Sequence, residues 1–263
     1  MTLNFLVFGI YDLFRNGIIR RILNATELPE GGRAALLGGG FLLCIAVAYL
    51  LGSINWALVI SRVVYHDDVR RHGSGNAGTT NILRTYGRKA AIFTFVGDTL
   101  KGAVAVLFAC LVFGFPASEP YYLHLVCAAY LSAFFCIFGH VFPCFSHFKG
   151  GKGFATMAGV ILVLDPVIFL ILFAMYVPLV LMSHYVSLSS IIAAMFYPVL
   201  LSSFDSTRPT PLGIHALIVM MIAALIVWCH RSNIKRLLNH TENKIYLKKS
   251  APKQESTTSE NEE

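Results

Sequence analysis

Long apolar blocks separated by short polar connections dominate the chain. The blocks run from about Leu36 to Val64, Ala90 to Phe113, Tyr121 to Val141, Phe154 to Met182, Leu188 to Ser203 and Leu212 to Trp228. About 20 apolar residues are enough for a helix to cross a hydrocarbon core, so each block predicts at least one membrane-spanning helix. The fold class expected is all-α, a polytopic membrane helix bundle over residues 36–249. Two blocks are irregular. The second carries Asp98 and Lys101, three apart and so on one helix face. Charges inside a span mark either a structural pair or a functional site. The fourth is interrupted only by Asp165-Pro166, and reads as one long tilted helix or as two segments turning there.

Charge settles that ambiguity. Lysine and arginine gather between Arg62 and Lys89, at Lys149 and Lys152, and from Arg231 to Lys253, whereas the other connections carry only Arg208. Basic connections stay on the cytoplasmic side. An even number of spans would put the last basic cluster on the wrong face. A break at Asp165-Pro166 gives seven transmembrane helices and puts all three clusters inside, with the N-terminus outside and the C-terminus cytoplasmic. Arg15, Arg20, Arg21 and Arg33 then lie on the less favoured side.

Both ends of the chain differ from this pattern. Residues 1–35 read as an N-terminal extension: Leu3 to Leu13 is too short to span, and the arginines behind it suit an interfacial amphipathic helix. Glu27 to Gly32 reads as a breaker, and no typical cleavable signal is expected, because no basic flank precedes the first apolar run. Residues 250–263, rich in Ser, Thr, Asn and Glu, are expected to be a disordered cytoplasmic tail.

Composition agrees with a membrane protein: 56% of residues are hydrophobic and 13% charged, which excludes a soluble globular domain. The net charge of +7 lies in the connections, where it speaks of orientation, and no nucleic-acid partner is expected. Six cysteines form no CxxC pair, so neither a zinc site nor a disulfide framework is read.

Candidate chemistry sits in the polar connections. Arg70 to Arg84 holds glycines at 73, 75 and 78, separated by small hydrogen-bonding side chains and bracketed by arginines. Glycine permits positive φ and close approach, and such a backbone can cradle an anion. Gly150-Gly151-Lys152-Gly153 opens a helix and offers N–H groups and an ammonium to a phosphate. It is not a nucleotide P-loop, since no glycine stands five residues before Gly151 and Gly153 occupies the Ser/Thr position. His230, Asn233 and Arg236 share one helix face, and Ser187 and Ser190 lie in a connection of the same side, where they also suit helix capping. Carboxylates on that side are scarce: Asp67, Asp68 and Glu242, with Asp98 deeper. No acidic cluster suits magnesium or manganese, so no metal and no cofactor are expected. The His-x4-Asp pair of acyl-CoA-dependent glycerolipid acyltransferases is absent. A membrane transporter of an organic phosphate is the alternative, but it predicts charges near the midplane and internal repeats; no repeat is visible, and the polar clusters sit at one face.

Taken together, these motifs resemble one family. Gly52-Ser53-Ile54, His72 to Asn76, Gly78 to Arg84, Asp98 with Lys101-Gly102, Gly139-His140 with Phe142-Pro143, Phe148 to Gly153, Ser187-Leu188 with Ser190-Ile191, and His230-Arg231 with Asn233 to Leu237 match in order. The pattern resembles the bacterial acyl-phosphate-dependent glycerol-3-phosphate acyltransferases, the PlsY family, from about Ala48 to Ile245. Departures include Asn55-Trp56, Thr79, Ser232 and Asn239-His240, none at a residue given a chemical role here. The resemblance implies a seven-helix enzyme of the bacterial inner membrane with a cytoplasmic active site. It implies transfer of an acyl group from acyl phosphate to glycerol 3-phosphate, the first step of phospholipid synthesis, among membrane lipids.

On that basis Ser74, Arg84, His230 and Asn233 are the expected catalytic residues. The loop backbone at Gly73, Gly75, Asn76, Gly78, Thr80 and Asn81 is expected to hold the acyl-phosphate head group with Ser74. Lys152, with Gly150, Gly151 and Gly153, joins Arg84 in binding glycerol 3-phosphate, and Ser187 and Ser190 complete the substrate site. The leaving phosphate is the expected proton acceptor, with His230 second.

Overall fold

The structure is a computed structural model that describes residues 16–114, 122–205 and 213–245. Leu3 to Leu13, the turn at 115–120, most of the connection at 204–211 and the tail at 250–263 lie outside the described residues. Among the described residues the chain is all helix and turn, with no strand.

Helix α1 spans Ile18–Ala25 and α2 Glu30–Ser53; α2 therefore begins inside the expected breaker, with Pro29 as its N-cap. The first apolar block is not one helix. It stops at Ser53 and restarts as α3, Trp56–Val63, where the Asn55 side chain accepts the Leu58 N–H (3.0 Å). A turn of 3₁₀ helix, Val69–Arg71, then leads into α4, Thr79–Thr85. α5 (Arg88–Phe113) and α6 (Tyr122–Val141) are long apolar helices. The Asp165-Pro166 break is realised: α7 is Phe154–Leu164 and α8 is Pro166–Ser183. α9 is Val186–Asp205, and α10, Ile214–Cys229, bends by 56° into α11, Arg231–Leu238.

Five of these helices are long and apolar enough to cross a membrane, or six if the bent pair is one span, among the described residues. That falls short of the seven expected, and α7 is the reason. With 11 residues it measures roughly 16 Å at 1.5 Å per residue, about half of a hydrocarbon core.

Packing follows the rules for helices in lipid, where small residues let backbones approach. A side chain on Gly52 would strike the Cys136 carbonyl, and one on Gly139 the Tyr49 carbonyl, so α2 and α6 lie in close contact. Gly102 and Gly159 do the same for α5 and α7, against the Thr156 and Thr99 carbonyls. Val106, Ala133, Val160, Tyr197 and Ile222, all fully buried, form the core where α5, α6, α7, α9 and α10 meet. α8 is apolar on all sides yet largely uncovered: Leu170 is 64% and Met182 82% exposed, as expected of a surface that meets lipid. At the break, the buried Asp165 carboxylate accepts hydrogen bonds from Tyr130 and Tyr197 (2.9 Å each), which ties the helix turn to α6 and α9.

The polar loops gather at one end of the bundle. α1 lies at the other, where Ile19 and Leu23 pack into the core beside Phe113, the last residue of α5. Arg21 on the opposite face of α1 is exposed.

Candidate active site

The glycine-rich loop is shaped from within by Asn81. This side chain is buried in the first turn of α4. Its amide donates to the carbonyls of Val69 (2.9 Å) and His72 (3.0 Å), and its oxygen accepts the Ser74 N–H (3.0 Å). Positive φ at Gly73 (56°) and Gly75 (70°) lets the backbone close around it. Asn81 thus spends its polar atoms on the loop itself. Asp68 caps the 3₁₀ turn through the Arg70 N–H (3.0 Å) and pairs with the Arg70 guanidinium (2.5 Å), which holds its carboxyl below the usual range. Arg70 also donates to the Lys149 carbonyl (3.1 Å), a direct tie between the two glycine loops. Asp67 accepts from Tyr86 (2.8 Å) and pairs with His72 (2.6 Å) on the outer side.

The second loop is held by main chain. The N–H groups of Gly150 and Gly151 bond to the Val141 and His140 carbonyls (3.1 Å each). These two glycines therefore set the shape of the loop, while the first N–H groups of α7, after Gly153, have no partner within their helix.

A cavity of about 280 Å³ opens between the loops. Ser74, Asn76, Gly78, Thr80, Asn81 and Arg84 face it from the first loop and α4, and Lys152 and Gly153 from the second. Ser187, Ser190, His230 and Asn233 complete the polar wall. Of the residues expected from sequence, Gly73, Gly75, Gly150 and Gly151 stand behind this lining rather than in it. Neither serine caps α9: Ser190 bonds the Val186 carbonyl (2.8 Å), and Ser187 donates to Glu242 (2.8 Å).

Glu242 is the residue that the sequence reading left without a role. Its carboxylate accepts from Ser187, Asn233 (2.7 Å) and Arg236 (2.6 Å). Burial alone would raise its pKa, but the hydrogen bonds from Asn233, Ser187 and Arg236 outweigh that and leave it below the usual range. The one available signal was that it is the sole acid in the otherwise basic run after α10. The segment around it crosses the cavity mouth: Arg84 donates to the Asn243 carbonyl (3.1 Å), and Ile245 N–H to the His184 carbonyl (2.8 Å). Asn233 links Glu242 to the Lys152 ammonium, which bonds its Oδ1.

Electrostatically the cavity wall carries Arg84, Lys152 and Arg236 against the carboxylate of Glu242. Asp98, also at the wall, is paired with Lys101 (2.8 Å). The net positive charge fits a phosphate dianion. Burial pushes Lys152 down to about 8, against the attraction of Glu242. His230 sits at the α10–α11 bend with its ring Nδ1 on the Ile226 carbonyl (2.8 Å). A carbonyl only accepts, so Nδ1 carries the proton, and the neutral ring keeps a lone pair on Nε2.

The cavity also has apolar lining: Phe95, Phe154, Tyr176, Val180 and Val186, with Phe154 and Tyr176 stacked (5.1 Å) where α7 meets the lipid-facing α8. Cationic and greasy groups in one cavity suit an amphiphile whose head is anionic.

Comparison with known proteins agrees with this arrangement. Residues 42–240 match the family model described as glycerol-3-phosphate acyltransferase. A glycerol-3-phosphate acyltransferase of Clostridioides difficile is 37% identical over 212 residues, 80% of this chain and 97% of the relative. One from Streptococcus thermophilus is 39% identical over 208 residues, 78% of this chain and 92% of its own. Among solved structures, PlsY, an integral membrane glycerol 3-phosphate acyltransferase, superposes in its glycerol 3-phosphate form with a TM-score of 0.68 at 34% identity. That match covers 78% of this chain and 96% of PlsY. Its lysophosphatidic acid form gives a TM-score of 0.66 at 33% identity. The chain is a member of the glycerol-3-phosphate acyltransferase family.

Proposed function

We propose that the protein transfers a fatty acyl group from acyl phosphate to the 1-hydroxyl of glycerol 3-phosphate, giving lysophosphatidic acid and inorganic phosphate. The observation that carries this reading is a cavity lined both by cationic groups from the two loops and by apolar side chains of α5, α7, α8 and α9. The relatives are named for glycerol 3-phosphate, and the loops supply room for a second phosphate.

In this reading the Gly73–Asn81 loop and Ser74 hold the head group of the acyl phosphate. Arg84 and Lys152 hold the phosphate of glycerol 3-phosphate, and the acyl tail lies along Phe154 and Tyr176. The glycerol hydroxyl oxygen bonds to the carbonyl carbon, and the bond from that carbon to the phosphate oxygen breaks. The leaving phosphate takes the hydroxyl proton. His230 Nε2 and Asn233 orient the hydroxyl. An acyl phosphate is a mixed anhydride with a good leaving group, so positioning, worth up to about 7–11 kcal/mol, carries most of the acceleration.

The seven-crossing arrangement belongs to the same proposal. α7 counts as a short crossing, the loops face the cytoplasm of a bacterial inner membrane, and the N-terminus lies outside. α1 then rests at the outer surface, the end remote from the loops, with its arginines toward lipid head groups. Purified protein supplied with glycerol 3-phosphate and either acyl phosphate, acyl-CoA or acyl carrier protein tests the reaction. Lysophosphatidic acid from acyl phosphate alone, also in the presence of a strong chelator, is the expected result; product from acyl-CoA alone would reject it.

A further inference from the structure

The gap between α2 and α3 lies inside the bundle, where each helix end leaves main-chain groups without partners. Two buried charges on α5 meet them. The Lys101 ammonium donates to the carbonyls of Gly52 (3.0 Å) and Ile54 (2.7 Å) at the end of α2. Asp98 Oδ1 accepts the Trp56 N–H (3.4 Å) at the start of α3 and pairs with Lys101 (2.8 Å). A cation at a helix C-terminus and an anion at an N-terminus each match the dipole they face.

The same ammonium reaches a third group. Lys101 Nζ is 2.9 Å from His140 Nδ1. Asp98 Oδ1 lies 3.4 Å from the same nitrogen, so His140 Nδ1 faces both members of the pair and its Nε2 points away from them. That Nε2 abuts Gly151, where a side chain would overlap both the imidazole and the Ala77 carbonyl. The His140 carbonyl also receives the Gly151 N–H (3.1 Å). On the other branch, Asn55, in the gap that Lys101 closes, donates its amide to the Ala77 carbonyl (3.2 Å). Two connections thus leave one buried ion pair. One runs through His140 to the Gly150–Lys152 loop, the other through Ile54 and Asn55 to the glycine-rich loop, and they meet where Gly151 touches Ala77.

We propose that Asp98, Lys101 and His140 form a positioning unit that sets the separation of the two phosphate-binding loops, and hence the approach of the glycerol hydroxyl to the acyl carbonyl. The inference rests on the acyl-transfer reading. Asp98 and His140 border the cavity and Lys101 stands behind it; the role assigned to all three is to hold the loops, not to act on the reacting atoms. Removing part of the unit should leave each loop able to bind its own phosphate and spoil their relative placement. The rate constant falls and the two Michaelis constants do not.

The test uses the full-length protein with His140→Ala, His140→Asn and His140→Gln. Asn places an amide near the former Nδ1, able to accept from Lys101 or donate to Asp98, and so keeps the contact with the ion pair; Gln reaches the Nε2 position and loses it. A displacement on the order of 1 Å costs about 10²-fold in rate. His140→Ala should therefore lower kcat about 10²-fold, while both KM values and calorimetric glycerol 3-phosphate affinity stay within about threefold. His140→Asn should recover about tenfold of that loss and His140→Gln should not. If His140→Ala does not fold, the Asn and Gln variants decide the matter by the same contrast. An unchanged kcat, a rise in one KM alone, Gln rescuing as well as Asn, or rates that follow thermal midpoints across the variants would each overturn the proposal. An active wild type with unaffected His140 variants rejects the positioning unit alone, whereas a wild type inert toward acyl phosphate rejects the acyl-transfer reading together with it.

Discussion

Lys152→Ala distinguishes a substrate-binding loop from a mere helix start. The Lys152 ammonium sits in the cavity wall, bonded to Asn233 and flanked by Arg84 and Arg236. A hydrogen bond to a charged group is worth roughly 1.5–3 kcal/mol. At about 1.4 kcal/mol per tenfold, its removal should raise the KM for glycerol 3-phosphate by about 10- to 150-fold. The KM for acyl phosphate should change far less, because the other loop holds that group. Burial adds a pH signature. With its pKa pushed down to about 8, Lys152 is charged at pH 7 and loses its proton as the pH rises through 8. Anion binding needs the charged form, so the KM for glycerol 3-phosphate should climb about tenfold between pH 7 and 9. Lys152→Arg, with a pKa far above this window, should flatten that climb. The assay is initial-rate formation of lysophosphatidic acid at saturating acyl phosphate and varied glycerol 3-phosphate. An unchanged KM in Lys152→Ala at pH 7 would refute the assignment.

Further outcomes follow from the same geometry. Asn81→Asp keeps the acceptor for Ser74 N–H but cannot donate to the Val69 and His72 carbonyls; kcat/KM should fall at least about tenfold, one buried bond being worth about 1 kcal/mol. A near-normal rate in that variant would show that the loop does not depend on Asn81. Tyr176→Ala removes the ring stacked on Phe154 in the apolar lining; the KM for a long-chain acyl phosphate should rise with glycerol 3-phosphate unaffected, and the reverse pattern would misplace the tail. A single cysteine at Ser250 should react with an impermeant thiol reagent only from inside, and labelling from outside would reject the seven-crossing topology.

The apolar blocks made the helices readable, because a span must satisfy its own backbone and so shows as an uninterrupted run. The Asp165-Pro166 break was visible since proline at a helix start follows a residue barred from the helix. The gap at Ile54-Asn55 was not: its flanks are apolar, and the groups that satisfy it, Asp98 and Lys101, come from another helix. The length of α7 was hidden for a similar reason, since α7 and α8 form one apolar run whose division between them depends on packing. In the site, glycine, lysine and histidine announced anion chemistry by type and spacing. Which of them face the cavity depended on hydrogen bonds that spacing does not reveal. Gly150 and Gly151 bond back to α6, Asn81 borders the cavity while its amide braces the loop, and Glu242 gathers Ser187, Asn233 and Arg236 from two helices.

A crystal structure of this protein with glycerol 3-phosphate bears most directly on the claim that the cavity between the two glycine loops is the site of acyl transfer. The phosphate should lie within hydrogen-bonding distance of both Lys152 Nζ and the Arg84 guanidinium, with the 1-hydroxyl toward His230 Nε2 and the apolar lining left uncovered. Glycerol 3-phosphate bound outside this cavity, with Lys152 and Arg84 untouched, would contradict the account.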